Sequence, residues 1–486
     1  MPLWMSDAIQ LWPQSTARFG AVTASLLLAS NRGPVAFGDD GAMRRGGGGL
    51  VSAISTSGAP HDSVWVCAAL SDADRRAARS TGGRVHADVD VRMLDIDPVT
   101  FDRAYNAVAN SMLWFVSHLL YATPTSPAFG QRSRREWQAY TSYNDAFALA
   151  LAEEAAPGAA VLVQDYHLSL TPRHLRERRP DLRIAHFSHT PWAPPEYFRL
   201  LPDVIGADLL TGLLGADSVG FHSARWADAF GRCCVEVLGA SYDGAAVSHA
   251  GRTTTVEVHP LGVDGPELQA RAGQEDVLSK LASVQELVGD RQLLLRVDRT
   301  ELSKNIVRGL EAYRELLRRW PEHRERVVHV AFAYPSRHDL PEYREYTGAV
   351  QRVAREVNEE FATPGWLPVH LEVRDDYPRS LAAMRLADVL IVNPVRDGMN
   401  LVAKEGPVLS ERGVGLVLSR EAGAADDLGA DALLVNPYDV SQTAEALHAA
   451  LLMDRGERSA RSARLAVAAT AFPPSRWLAG QVASLD

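Results

Sequence analysis

Cysteine is scarce in this chain: Cys67, Cys233 and Cys234 are the only three in 486 residues. None stands at a metal-ligand spacing. The adjacent Cys233-Cys234 pair, on a predicted helix, is badly placed for a disulfide. The thiols therefore read as small buried hydrophobes of a reducing, cytoplasmic protein. No apolar run approaches the ~20 residues of a membrane span. Ala21 to Ala29 has a single basic residue, Arg18, upstream and runs into Ser30-Asn31-Arg32-Gly33-Pro34, which is not a signal-peptide arrangement. It reads as a first buried strand behind a loosely ordered tail. Positive charge is in deficit, since 50 basic against 60 acidic side chains leave a net charge of −10. That balance argues against a nucleic-acid partner, and it requires any phosphate to be held by local cations against a repelling overall field. No metal-ligating cluster, no Ser-His-Asp or Cys-His arrangement and no internal repeat is present.

What the chain does contain is alternation. Short, continuous apolar runs recur as strand candidates: Ser25–Ala29, Val64–Ala68, Ala160–Gln164, Arg183–Ser188, Ser218–Phe221, Val256–His259, Leu293–Val297, Val327–Ala333, Val369–Val373, Val389–Asn393, Val414–Leu418 and Ala432–Val435. Helical patterns such as Glu136–Ala155, Trp226–Leu238, Ile306–Trp320, Pro341–Glu360 and Ser441–Leu452 lie between them. Unalternating strands separated by helices predict parallel sheets buried on both faces. The expected fold class is α/β, with two doubly wound Rossmann-like domains facing a central cleft. The length is too great for one core. A boundary near Gly262 to Gln274 gives a tail over 1–22, an N-terminal domain over 23–265, a C-terminal domain over 266–465 and a last helical segment over 466–486, broken by Pro473-Pro474.

The densest chemistry lies in Asn393-Pro394-Val395-Arg396-Asp397-Gly398-Met399-Asn400-Leu401-Val402-Ala403-Lys404-Glu405. A buried strand leads into a polar loop and then a helix, whose first N–H groups suit a phosphate. Glu405, about one turn on, is placed to accept hydrogen bonds from a ribose diol. The second segment is Val297-Asp298-Arg299 followed by Ser303-Lys304. A guanidinium fork and a mobile ammonium five residues apart can converge on one diphosphate. Asp165 and His189 each follow a predicted strand, where functional groups concentrate in this fold.

Taken together these segments resemble the trehalose-6-phosphate synthase family of retaining, GT-B-type glycosyltransferases. The resemblance runs from about Leu26 to the last helix. It rests also on Ser30-Asn31-Arg32, Gly48-Gly49-Leu50, Tyr105-Asn106 with Leu113-Trp114, Gln164-Asp165-Tyr166-His167-Leu168, His189-Thr190-Pro191 and Pro335-Ser336-Arg337. It implies that His189 hydrogen-bonds the donor ring and that Asp165 contacts the acceptor. Asp397, Gly398, Met399, Asn400 and Leu401 would hold donor hydroxyls and diphosphate, with Gly48 and Gly49 as backbone contacts. Arg32 and Arg337 would grip an acceptor phosphate, in a pocket lined by Tyr105 and Trp114. Asp165, His189, Arg299 and Lys304 would carry the catalysis. The resemblance implies no metal and no cofactor, small-molecule substrates, no nucleic acid and no membrane; a homodimer is one assembly left open. The last helix is expected to return to the N-terminal domain.

Several positions depart from the family pattern: Phe115, Trp192-Ala193, Thr300-Glu301-Leu302, Asn305, His338 and Asn393. With them the chain resembles the pseudo-glycosyltransferase branch of validamycin antibiotic biosynthesis, and that resemblance implies its reaction. In that reaction GDP-valienol, a nucleotide-linked cyclitol, is coupled to the phosphorylated aminocyclitol validamine 7-phosphate through a C–N bond with retained configuration. The alternatives are trehalose-6-phosphate synthesis from a nucleotide sugar and glucose 6-phosphate, and a non-catalytic sugar-phosphate-binding protein.

Overall fold

The computed structural model describes residues 23–46, 63–87, 89–337 and 339–486; Gly48, Gly49 and His338 lie outside them. The chain forms two compact units, one running to Pro260 and including Pro474–Asp486, the other spanning Leu261–Pro473.

The N-terminal unit is built on strands β1 (Ala24–Ala29), β2 (Val35–Phe37), β3 (Met43–Arg45), β4 (Ser63–Ala68), β5 (Arg84–His86), β6 (Asp90–Leu94), β7 (Ala155–Gln164), β8 (Arg183–Ser188), β9 (Ser218–Phe221), β10 (Ser241–Tyr242), β11 (Ala246–His249) and β12 (Arg252–Val258). Among the described residues β2 and β3 pair as a hairpin. The others form one sheet in the order β10-β11-β12-β9-β8-β7-β1-β4-β6-β5. The run from β12 to β6 is parallel, while β5, β10 and β11 add antiparallel margins. All six residues of β4 are buried, and β8 exposes only Arg183, which explains their unbroken apolar runs. The chain leaves β1 on one side for β4 and later returns on the other for β7. That reversal creates a switch point at the carboxyl ends of β1 and β7, where ligands bind in open α/β sheets.

The C-terminal unit holds β13 (Gln292–Arg299), β14 (Val327–Tyr334), β15 (Val369–Glu372), β16 (Val389–Val392), β17 (Gly415–Ser419) and β18 (Leu433–Val435). They form a parallel sheet in the order β15-β14-β13-β16-β17-β18, which reverses between β13 and β16. Leu293, Leu295, Leu390 and Leu416 enter one core, while Leu294, Val389, Ile391 and Val417 enter another. Successive residues thus bury opposite faces of the sheet. Both units are doubly wound α/β assemblies, the fold class that the alternation predicts.

Two segments go beyond the sequence reading. Arg103–Leu113 winds as a π-helix between the helical turns Pro98–Asp102 and Trp114–Ser117, a form frequent at functional sites. The chain crosses between units at Pro473/Pro474: Arg455–Thr470 packs on the helix Val402–Leu409, and only Pro474–Ala483 packs on β7 and β8.

Candidate functional site

In the C-terminal unit three neighbouring strands, β14, β13 and β16, deliver the polar residues. β13 ends on Arg299, and a short 3-10 turn, Leu302–Lys304, then presents Lys304. The Lys304 ammonium lies 2.6 Å from Asp397 Oδ2 in the loop after β16. Burial works to lower its pKa, but Asp397, Asp298 and Glu301 outweigh burial and hold it above the ordinary lysine value. Asp397 also accepts from Asn400 Nδ2 at 3.1 Å, and Asn400 Oδ1 accepts from Ala403 N at 3.2 Å. Asn400 sits at φ 80°, a left-handed geometry that asparagine tolerates better than most residues. The loop is wedged so tightly that the backbone of Gly423 touches the Gly398 carbonyl, with no room for a Cβ. Met399 is buried and Leu401 half-buried beside it.

Arg299 does not stand free beside Lys304. Its Nη1 is 3.0 Å from Oε1 of Glu301, a side chain with no exposure. Ser336 Oγ donates to the same oxygen at 2.9 Å. Burial alone pushes the Glu301 carboxyl up, yet Arg299, Arg337 and Lys304 prevail and take it down to about 2. Arg337, at φ 45°, bonds the Tyr343 hydroxyl at 2.6 Å. It thus joins the Arg299 cluster of this unit, while Arg32 belongs to the other unit. Glu405 is half-buried, and desolvation pushes its carboxyl up to about 7. Lys404 turns inward, onto the Leu261 carbonyl at 2.8 Å and Asp427 at 2.5 Å, and is structural.

The N-terminal unit assembles its groups at the ends of β1, β7, β8 and β9. Ser30 Oγ accepts from Trp65 Nε1 at 2.7 Å, and Asn31 Oδ1 accepts from the Tyr143 hydroxyl at 2.6 Å. These bonds fix the turn that ends in the half-buried Arg32, which lines a small cavity with Gly33, Gly46 and Asp74. Asp165 adopts φ 74°, ψ 166°, a strained region for a residue with a side chain. Its Oδ1 accepts from His189 N at 3.2 Å, and its Oδ2 lies 3.7 Å from His167 Nδ1. The π-helix sets Tyr105 in stacks on His167 and Phe101, ring centroids 5.5 and 5.3 Å apart. Trp114 stacks on His118 at 3.9 Å and leans on Tyr166.

His189 meets Gln164 Oε1 through Nε2 at 3.0 Å and His222 Nε2 through Nδ1 at 3.2 Å. Burial first, then His222 and His186, holds its pKa well below the usual imidazole value. The ring is therefore neutral near pH 7, and its contacts with Gln164 and His222 are hydrogen bonds between uncharged groups. His222 escaped the sequence reading although it follows β9 as His189 follows β8; the strand-end rule applied to Ser218–Phe221 would have found it. Glu301 was visible only as a departure from a motif, and its burial between cations has no signature in sequence.

A metal site is not needed to explain the cluster Glu322, His323 and His448. His323 Nε2 and His448 Nδ1 satisfy one another at 2.8 Å, and Trp320 stacks on His448.

With both sets of strand-end groups in view, comparison with known proteins becomes decisive. A family model described as glycosyltransferase family 20 matches residues 24–486. The chain belongs to glycosyltransferase family 20. A family 20 relative, the bifunctional trehalose-6-phosphate synthase/phosphatase of Thermoproteus tenax, is 33% identical over 457 residues, 90% of this chain; the chain spans only 60% of that protein's length. The UDP-forming alpha,alpha-trehalose-phosphate synthase 2 of Aspergillus niger is 30% identical, with 95% of this chain and 96% of the relative covered. The solved structure of a UDP-forming alpha,alpha-trehalose-phosphate synthase from Burkholderia xenovorans in complex with glucose-6-phosphate superposes with a TM-score of 0.82 at 26% identity, covering 95% of this chain and 100% of that one. Among the described residues no helix is long and apolar enough to cross a membrane.

Proposed function

We propose that the protein transfers a glycosyl group, with retention of configuration, from a nucleoside-diphosphate sugar to a phosphorylated sugar, the reaction type of the trehalose-6-phosphate synthases. The observation that carries this reading is the Arg299, Lys304, Asp397 and Asn400 constellation at the ends of β13 and β16, ahead of the helix Val402–Leu409. The anomeric carbon–oxygen bond to the diphosphate breaks, and its electron pair leaves on the phosphate oxygen. Arg299, Lys304 and the helix N-terminus stabilise that developing charge. The acceptor hydroxyl attacks from the same face and yields its proton to the departing phosphate. Neutral His189 holds the donor ring, Asp165 orients the acceptor, and Arg32 and Arg337 match its phosphate. Related proteins are UDP-forming, which favours UDP over GDP in the donor.

The coupling of GDP-valienol to validamine 7-phosphate, the reaction of validoxylamine A 7′-phosphate synthase, is the second reading. It drew on a sequence resemblance and on the motif departures, and several of those departures are turned into the fold. Asn393 Oδ1 accepts from Arg296, and Asn305 Nδ2 donates to the carbonyls of Asn393 at 2.9 Å and Pro437 at 2.7 Å. Trp192 and Phe115 are buried, with Trp192 packed on Phe198, Phe221 and Phe230. Side chains so engaged serve the packing of their own unit. Among the departures in the described residues, Glu301 is bound to Arg299, a group assigned to the donor, and that contact supports this second reading together with the sequence resemblance.

The deciding experiment measures nucleoside-diphosphate release, with NMR of the product, for UDP- or GDP-glucose plus glucose 6-phosphate against GDP-valienol plus validamine 7-phosphate. Turnover of the sugar pair with an α-linked product supports the proposal. Turnover confined to the cyclitol pair replaces it with the second reading. Binding of both donors with turnover of neither restores the sugar-phosphate-binding alternative.

A further inference from the structure

The last helix, Pro474–Ala483, sends two residues four apart, Trp477 and Gln481, to the ends of β7 and β8. Trp477 packs edge-on against Phe187, ring centroids 5.1 Å apart, and tilts against His189 at 5.4 Å. Gln481 is buried, and its Oε1 accepts from Gln164 Nε2 at 2.8 Å. An amide that donates on one side presents its carbonyl on the other. Gln164 Oε1 therefore faces His189 Nε2, 3.0 Å away, and only a proton on that nitrogen can complete the contact. The lone pair of the neutral ring then lies on Nδ1, where His222 Nε2 stands as donor at 3.2 Å.

We infer that Gln481 is a positioning residue for His189: acting through Gln164, it fixes the imidazole as its Nε2–H tautomer. The neutral ring of a histidine can carry its proton on either nitrogen, and the hydrogen bond made by one decides the role of the other. A row of four side chains from the last helix through β7 and β8 to the end of β9 makes that choice. Both ring nitrogens are engaged, Nε2 by Gln164 and Nδ1 by His222, so a consequence for turnover, which rests on the glycosyl-transfer reading, comes through the fixed orientation and tautomer of the ring; the tautomer itself does not rest on that reading.

The test uses the full-length chain. Gln481→Met keeps the length of the side chain and removes the acceptor, whereas Gln481→Glu keeps an Oε acceptor for Gln164. Imidazole ¹⁵N spectra above the His189 pKa report the tautomer directly. The His189 signal among 15 histidines is identified by its absence in His189→Gln. The wild type and Gln481→Glu should show Nε2–H alone, while Gln481→Met should gain Nδ1–H, since loss of one net hydrogen bond changes the tautomer ratio roughly five-fold. A Gln481→Met spectrum identical to that of the wild type overturns the inference, as does Nδ1–H in Gln481→Glu. A tautomer change without a change in glycosyl turnover upholds the relay and instead overturns the donor-binding role given to His189.

Discussion

Lys304 and Asp397 meet at 2.6 Å and so tie the loop after β13 to the loop after β16. A diphosphate at Lys304 must share the ammonium with this carboxylate, and Asp397 loses that cation if Lys304 is removed. Lys304→Ala should weaken nucleoside-diphosphate binding ~10–100-fold, the worth of one charge-assisted hydrogen bond at about 1.5–3 kcal/mol. The Lys304→Ala/Asp397→Ala double variant should lose less than the sum of the single losses, because the two side chains are in contact. Calorimetric titration of the four proteins with UDP checks both statements; additive losses would show that the pair does not act as a unit.

Glu301 sets an acid-stability limb. Its carboxyl in the folded protein titrates at about 2, below its ordinary value of 4.5. Its contribution is therefore complete above the ordinary value and fades as the pH falls toward 2. Glu301→Gln should lose about 1.5–3 kcal/mol at pH 7 and show a shallower decline between pH 5 and 2.5. Urea unfolding across that range provides the comparison, and parallel curves for the two proteins would refute the assignment.

Glu405 should make donor binding sensitive to pH in the neutral range. Its carboxyl sits near 7 because of burial, and a ribose diol donating to it favours the charged form. Affinity for UDP-glucose should therefore rise with pH through about 7 and level off above it. UDP-glucose is the suitable probe because its diphosphate diester does not titrate there. Glu405→Gln should bind more weakly at pH 8 and with no such slope. A slope that persists in the variant would belong to another group.

Arg32→Ala should raise the KM for glucose 6-phosphate far more than that for the donor, since Arg32 lines a cavity of the N-terminal unit while the groups assigned to the diphosphate belong to the C-terminal unit. Arg337→Ala should do the same and also lower the melting temperature, because Arg337 both bonds Tyr343 and helps to compensate Glu301. Steady-state kinetics with each substrate varied, together with thermal unfolding, separate the two variants. Equal losses for donor and acceptor in Arg32→Ala would mark it as structural.

Asp165 stores strain. At φ 74°, ψ 166° a glycine is relaxed and a residue with a Cβ costs ~1–3 kcal/mol. Asp165→Gly should be more stable than Asp165→Ala by about that amount, the reverse of the usual order, while both lose turnover. Chemical denaturation of the pair settles it, and an alanine variant at least as stable as the glycine variant would disprove the strain.

Much of the architecture was legible because both sheets are buried on both faces. Arg183–Ser188 and Ser218–Phe221 fall on their strands to the residue, since a continuous apolar run bounded by polar turns leaves little freedom. The margins were not legible. β5 and β6 mix arginine, histidine and aspartate with valine, as half-exposed edges do, and resemble loops in composition. The π-helix at Arg103–Leu113 has the residue types of an α-helix; its extra residue per turn answers to packing that no local pattern encodes. In the candidate site, strand-end residues such as Asp165, His189 and Arg299 stood out by position. Gln481 did not, because its partnership with Gln164, 317 positions away, is a property of topology; Glu301 is near Arg299 in the chain, but its burial does not show there. The motif departures were legible as changes but not as contacts: Asn305 bonds two backbone carbonyls through its amide, and Asn393 accepts from Arg296.

Gln164 and Gln481 are 317 positions apart, and the helix that carries Gln481 is completed only after the entire Leu261–Pro473 unit. At ~5–20 residues per second on a ribosome, β7 and β8 wait roughly 15–60 s for the piece that covers their ends. During that interval the first-made sheet carries Phe187 without Trp477, and His189 without the anchored form of its glutamine neighbour. The order of synthesis thus makes this half of the molecule the last to finish, although it is the first to begin.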